Sequence, residues 1–191
     1  MFLIKRAFVA FFLCLAGLSV GSAAMAAPAT PIKDPENTLI MQLKYGRVVI
    51  QMRPDLAPKT VARIKQLVRQ GFYDGTPFHR VIAGFMAQGG DPTGTGTGGS
   101  GFKLAAEFSS AKHLRGTVSM ARAQDIDSAD SQFFICFAPQ PVLDGKYTIW
   151  GQVIEGMDVV DQIKKGDEEA NGLVADPDRI LWMKVAADMK S

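Results

Sequence analysis

Arg80, Gln88 and Gln132 are the residues of this chain best placed to do chemistry, because each sits among aromatics: Phe78-His79-Arg80, then Phe85-Met86-Ala87-Gln88-Gly89-Gly90-Asp91, and further on Ser131-Gln132-Phe133-Phe134-Ile135. They bring one permanent cation and two neutral amides together with exposed-looking rings. Arginine stays charged at any working pH and presents a planar fork of donors. No nucleophile, metal cluster or acid-base pair stands beside it. Such a set can hold and polarise a bound group without forming a bond to it.

Other chemistries find less support. The glycine-rich loop from Gly89 to Gly101 contains two formal GxGxxG matches, at Gly94, Gly96 and Gly99 and at Gly96, Gly98 and Gly101. A dinucleotide site needs a strand before such a loop, a helix after it and an acidic residue further on. Pro92 and the stretch Phe102 to Glu107 do not supply that frame, so a flexible loop bordering a groove is expected. His79 and His113 have no Cys or carboxylate at ligand spacing. His79 reads as a hydrogen-bonded structural residue and His113 as a surface one. Ser119, Ser128 and Ser131 lack a nucleophile-elbow setting.

The elements that must position Arg80 and the two glutamines are mostly short strands. Thr38 to Leu43 and Arg47 to Met52 flank Lys44-Tyr45-Gly46 and read as a hairpin. From Pro54 to Gly71 the period changes: Ala57, Val61, Ile64, Leu67 and Val68 recur at helical steps, Pro58 lies near the start and Gly71 marks the stop. The apolar stripe of this helix closes one end of a β core, and Lys59, Arg63, Lys65 and Arg69 lie mainly toward solvent. Further strands are expected around Phe78 to Ile82, Phe85 to Gln88, Thr117 to Ala121, Phe133 to Phe137, Ile149 to Val153 and Ile180 to Val185. A short amphipathic segment, Met157 to Lys164, precedes a polar loop from Lys165 to Asp176. Many short strands with turns between them indicate a barrel or sandwich.

With 191 residues, 47% of them hydrophobic, 21% charged and a net charge of +2, one domain with a real core is expected and no basic stripe suits nucleic acid. Lys5-Arg6, the apolar run from Ala7 to Val20 and the small-residue stretch through Ala27 read as an export signal cleaved after Ala26. The run is too short for a comfortable membrane span. Phe11-Phe12-Leu13 before Cys14 does not suit a lipoprotein site. The expected organisation is a signal peptide over 1–26, a proline-bearing flexible spacer over 27–37 and one domain over 38–191. Cys136 is then the only thiol of the mature chain, and its apolar run marks it as buried and structural.

The strings FHRVIAGFMAQGGD, RGTVSMARA, DSADSQFFICF and LDGKYTIWGQVIEGMDVVDQI, in this order over nearly the whole mature chain, resemble the cyclophilin family of peptidyl-prolyl cis-trans isomerases, most of all its bacterial exported branch. The resemblance implies a mainly β fold, a closed eight-stranded antiparallel β-barrel capped by two α-helices, with a substrate groove on its outer face. It places the family's catalytic arginine on Arg80, the proline-ring pocket on Phe85, Met86, Phe134 and Leu143, and polar contacts on Gln88 and Gln132. Gly96, Ala121, Arg122 and Ala123 line the groove. The chain departs from many members at Val142, where they carry Trp, at Tyr147 in place of His, and at Arg122 in place of Asn.

What the resemblance implies for function is acceleration of rotation about X-Pro bonds during folding of exported proteins. The partners are unfolded or extended proline-containing polypeptides, with no cofactor, no metal, no nucleic acid and, after signal cleavage, no membrane. A monomer is expected, in the periplasm or, without an outer membrane, secreted. The rival is a non-catalytic module that binds proline-containing segments, which the loss of Trp at Val142 permits and the retention of Arg80, Gln88 and Phe134 opposes. The same loss of an aromatic wall and an N–H donor implies weak binding of cyclosporin-type inhibitors.

Overall fold

The computed structural model describes residues 32–189. The signal-peptide reading of 1–26, Cys14 within it, and the first part of the spacer lie outside the described residues. The end of the spacer is more ordered than its prolines suggest. Pro35–Asn37 forms a 3₁₀ turn capped by Asp34, whose carboxylate accepts from the Asn37 amide, and Glu36 pairs with Lys65 and Arg69.

Eight strands follow: β1 Thr38–Leu43, β2 Gly46–Met52, β3 Arg80–Ile82, β4 Met86–Gly89, β5 Thr117–Met120, β6 Phe133–Cys136, β7 Ile149–Glu155 and β8 Trp182–Val185. They form one antiparallel sheet in the order β3-β4-β6-β5-β7-β2-β1-β8. The sheet curls, and its two edge regions meet at an irregular seam: Phe78 N–H donates to Asp178 O at 2.9 Å, and Ile180 N–H to Thr76 O at 3.0 Å. The expected closed barrel is therefore completed by scattered bonds and the isolated bridge Pro77↔Arg179 instead of a continuous ladder.

Helix α1, Pro58–Arg69, starts on its proline, where a missing N–H costs nothing, and ends before Gly71 at φ +69. It buries Val61, Ile64, Leu67 and Val68 in the core. Its basic face is more engaged than solvent exposure alone would make it: Arg63 donates to Ser100 Oγ and lies over the Phe102 ring, and Arg69 reaches Asp188. The second helix, α2, is the short Met157–Asp161.

Successive side chains of a strand point to opposite faces, and here that alternation separates core from site. Val81, Ala87, Val118, Met120, Phe133 and Ile135 belong to the main core, whereas Met86, Phe134, Cys136 and Leu143 form a second apolar cluster on the other face. The register lines up Arg80 with Gln88, Gln88 with Phe134, and Phe134 with Ser119 across four strands. One transverse row thus carries the cation, an amide and an aromatic ring on the outer face.

Candidate functional site

A recess of about 190 Å³ opens over this row. Met86, Phe134 and Leu143, all buried, belong to its apolar cluster, and the half-buried Phe85 and Tyr147 pack against it. Phe134 is held edge-on by Tyr147 at 5.7 Å and face-on by His113 at 6.1 Å. The aromatics are less exposed than the motif suggests: Phe78 and Phe133 are fully buried in the main core, and Phe134 keeps 5% of its surface. Leu143 arrives on a 3₁₀ turn, Pro141–Leu143, while neighbouring Val142 is 66% exposed.

Arg80 lies at the polar rim, half-buried. Its Nη1 donates to Gln88 Oε1 at 3.1 Å, its Nε to the Asn171 carbonyl at 3.0 Å and its Nη2 to Asn171 Oδ1 at 2.9 Å. No carboxylate pairs with it among the described residues. Burial draws its pKa below the usual arginine range, which still leaves it a cation. A guanidinium has five N–H donors, so two remain without a protein partner at a residue that lines the recess.

The glutamines form a relay behind the arginine. Gln88 Nε2 donates to Gln132 Oε1 at 2.9 Å, and Gln132 Nε2 donates to the carbonyls of Gly96 and Gly98 at 3.0 and 2.9 Å. Gln132 therefore positions Gln88 and the glycine loop, and touches Arg80 only through Gln88. The loop is tied down, contrary to the flexible loop expected. Buried Asp91 accepts from the Thr93 amide and hydroxyl and from the Gly96 and Gly98 amides. Burial raises the Asp91 carboxyl, and these four donors more than offset it, holding the group below the usual carboxylate range. Buried Asp130 accepts from the Ser100 amide and hydroxyl and from the Gly101 amide.

Gly96, Ala121, Arg122 and Ala123 border a second, adjoining recess of about 320 Å³. Thr97, Lys103, Ser128 and Asp130 also line it, and sequence reasoning missed them. Their only signal was position in or beside the glycine loop and the DSADS string. The two departures Arg122 and Tyr147 meet each other: the guanidinium lies 4.8 Å from the Tyr147 ring centroid and donates to the carbonyls of Ala123, Gln124 and Lys146. Arg122 thereby forms the wall between the two recesses.

Both histidines differ from expectation. His79 is buried with neither ring nitrogen hydrogen-bonded, and burial lowers its pKa. His113 is buried as well: its amide donates to Asp144 Oδ1, and its ring lies between Asp144 at 3.2 Å and Ser119 at 3.0 Å. Burial lowers its pKa against the pull of Asp144. The Gln140 amide donates to the His113 carbonyl, so His113 fastens both ends of the turn that carries Leu143. Cys136 lies fully buried under the recess, its thiol pushed up to about 12 by burial, which suits the structural role expected of it.

Comparison with known proteins follows the same lines. The family model for cyclophilin type peptidyl-prolyl cis-trans isomerases matches residues 38–185. A probable peptidyl-prolyl cis-trans isomerase of Brucella suis is 52% identical over 185 residues, covering 91% of this chain and 92% of its own. A peptidyl-prolyl cis-trans isomerase of Synechococcus elongatus is 45% identical over 78% of this chain and 96% of its own. Among solved structures, a cyclophilin of Hirschia baltica superposes with a TM-score of 0.74 at 30% identity, covering 82% of this chain and 76% of that one. A cyclophilin type isomerase of Cryptosporidium parvum, crystallised in the presence of the dipeptide ala-pro, gives 0.71 at 31% identity over 78% of this chain and 98% of its own.

Proposed function

The chain belongs to the cyclophilin-type peptidyl-prolyl cis-trans isomerases, and from that premise we propose that it turns X-Pro bonds through a single cation, Arg80, acting on a proline held in the recess beside it. The observation that carries this reading is the row Arg80, Gln88 and Phe134 across β3, β4 and β6, with donors left on the guanidinium. The crystallisation of the Cryptosporidium relative with ala-pro supports proline-containing peptides as substrates.

The physics of the bond sets what the site must supply. Amide resonance gives a barrier of about 18–20 kcal/mol, and isomerisation takes tens to hundreds of seconds. In the twisted transition state the nitrogen lone pair leaves conjugation and becomes an acceptor. A fixed cationic donor aimed at it stabilises the twist and does little for the planar ground state. Such a hydrogen bond contributes about 1.5–3 kcal/mol. Millisecond turnover needs a factor of about 10⁴, or about 5–6 kcal/mol.

The recess supplies the difference by holding one side of the bond still. Met86, Phe134 and Leu143 receive the ring, and Gln88 with the main chain at Arg122 receives a carbonyl. The opposite side then rotates against a fixed partner. Partial exclusion of water strengthens the Arg80 interaction as the twist develops. No proton moves, and no cofactor takes part. An assay of peptide isomerisation, with Arg80→Ala beside the unaltered protein, tests the reading.

The departure at Val142, an exposed aliphatic residue where many family members carry Trp, bears on inhibitors. Without an aromatic wall and its N–H donor there, cyclosporin-type cyclic peptides bind weakly; a tight complex in a calorimetric titration would contradict this.

The signal read in residues 1–26 supports action on exported polypeptides, in the periplasm or, for a cell without an outer membrane, in the medium. Protein recovered from the exported fraction is expected to begin at Ala27 by intact-mass measurement. A chain that keeps residues 1–26 and stays in the cytosol would overturn that placement.

A further inference from the structure

We propose that Asn171 is a positioning residue for Arg80: a neutral clamp that aims the guanidinium while leaving its charge uncompensated. The proposal rests on the role assigned to Arg80 above.

Arg80 makes three hydrogen bonds, and Asn171 receives two of them, one on its carbonyl and one on its side-chain oxygen. Every acceptor around Arg80 is uncharged. Four other arginines, Arg47, Arg53, Arg69 and Arg115, each pair with a carboxylate. Arg63, Arg122 and Arg179 also donate to neutral acceptors, and of these neutral sets only that of Arg80 combines a backbone carbonyl and a side-chain oxygen of one residue. Carboxylates are also close in sequence, since Asp167, Glu168 and Glu169 share the loop with Asn171. The chain presents the amide to Arg80 from a loop rich in acids.

The loop is built to make that delivery. Asn171 adopts φ +54, a left-handed conformation that asparagine tolerates better than most side chains. Its amide donates to Glu168 O, Gly172 N–H donates to Asp167 O, and Gly172 O accepts from Val81 N–H at 2.8 Å. That last bond fixes the loop to β3, next to Arg80 itself. Gly172, at φ +79, has no room for a Cβ against Ile82. The turn therefore requires glycine at 172 and accommodates asparagine at 171, whose side-chain oxygen meets the arginine.

Neutrality has a mechanistic consequence. A carboxylate in place of the Asn171 amide would engage Arg80 in a charge-assisted, bidentate pair. The pair would occupy donors that the twisted bond needs and would cancel part of the field at its nitrogen. An amide oxygen orients the fork and leaves the field intact.

The test is steady-state isomerisation of a proline-containing peptide by four variants: Asn171→Asp, Asn171→Gly, Arg80→Ala, and Arg80→Ala combined with Asn171→Asp. Asn171→Asp is expected to lower kcat at least fivefold with KM within twofold, and to regain activity as salt screens the new pair. Asn171→Gly keeps the left-handed turn and the carbonyl but loses the side-chain acceptor, and a loss of about two- to threefold is expected. In the Arg80→Ala background, Asn171→Asp should add nothing, as for residues acting through one another. If Asn171→Asp keeps kcat within twofold while Arg80→Ala loses at least tenfold, the clamp is wrong and the role of Arg80 stands. A loss that persists in the double variant or ignores salt also overturns the clamp. If Arg80→Ala itself loses nothing, the role of Arg80 falls first.

Discussion

Replacing Arg80 with alanine is expected to lower kcat/KM for a proline-containing peptide by at least tenfold while the protein keeps its fold. The magnitude follows from losing one charge-assisted hydrogen bond in the transition state, about 1.5–3 kcal/mol, which is about 10- to 150-fold in rate. Preservation of the fold follows from placement. Arg80 is half-buried at the rim and belongs to neither apolar cluster. Its removal also frees Gln88, whose other bond, to Gln132, keeps it in place. The loss should therefore appear mainly in kcat. Arg80→Lys should recover little, because an ammonium cannot span Gln88 and Asn171 with a planar fork.

Phe134→Ala should have the largest combined effect, on both binding and stability. The ring is 5% exposed and joins Met86, Leu143, Tyr147 and His113 into one surface. Truncating such a phenylalanine costs about 3–5 kcal/mol, which lowers the melting temperature of a domain this size by about 6–20 °C. In the proposed function Phe134 is the main aromatic contact for the proline ring, so KM should rise as kcat/KM falls. Phe134→Leu separates the two effects, since it keeps most of the volume and loses the flat face. A variant that melts lower but binds and turns over peptide normally would show that Phe134 supports the fold alone.

Much of this architecture is legible in the residues themselves because it rests on short-range patterns. A strand over Phe133 to Phe137 must turn Phe133 and Ile135 to one face and Phe134 and Cys136 to the other, as the structure does. An unbroken apolar run does not say which face is core, and only the family resemblance pointed to Phe134. Gly71 stops α1 where its left-handed φ permits. Arg80, Gln88 and Phe134 stand out because a cation and an amide are unusual company for such rings, and the register puts them in one row.

What escaped the sequence depends on contacts between distant segments. His113 lies in Lys112-His113-Leu114-Arg115 and looks superficial, but Asp144 and Ser119 close over it. Asp91 and Asp130 look like loop acids, yet backbone amides of the glycine-rich stretch converge on them and make burial affordable. Asn171 sits in a polar loop with no apolar periodicity to mark it. Its one local signal is the glycine that follows. Seam closure between β3 and β8 is irregular because Pro77 cannot donate to a ladder, and no alternation announces it.

In the proposed function one cation and a ring-holding recess together lower the barrier to X-Pro rotation. The most direct measurement is magnetisation-exchange NMR on a proline-containing peptide at equilibrium with the purified protein, recording cis-trans interconversion and binding in the same sample. Interconversion should be fast with the unaltered protein, and Arg80→Ala should slow it at least tenfold while the peptide still binds. Equal interconversion in the two samples, or binding without any acceleration by the unaltered protein, would contradict the account.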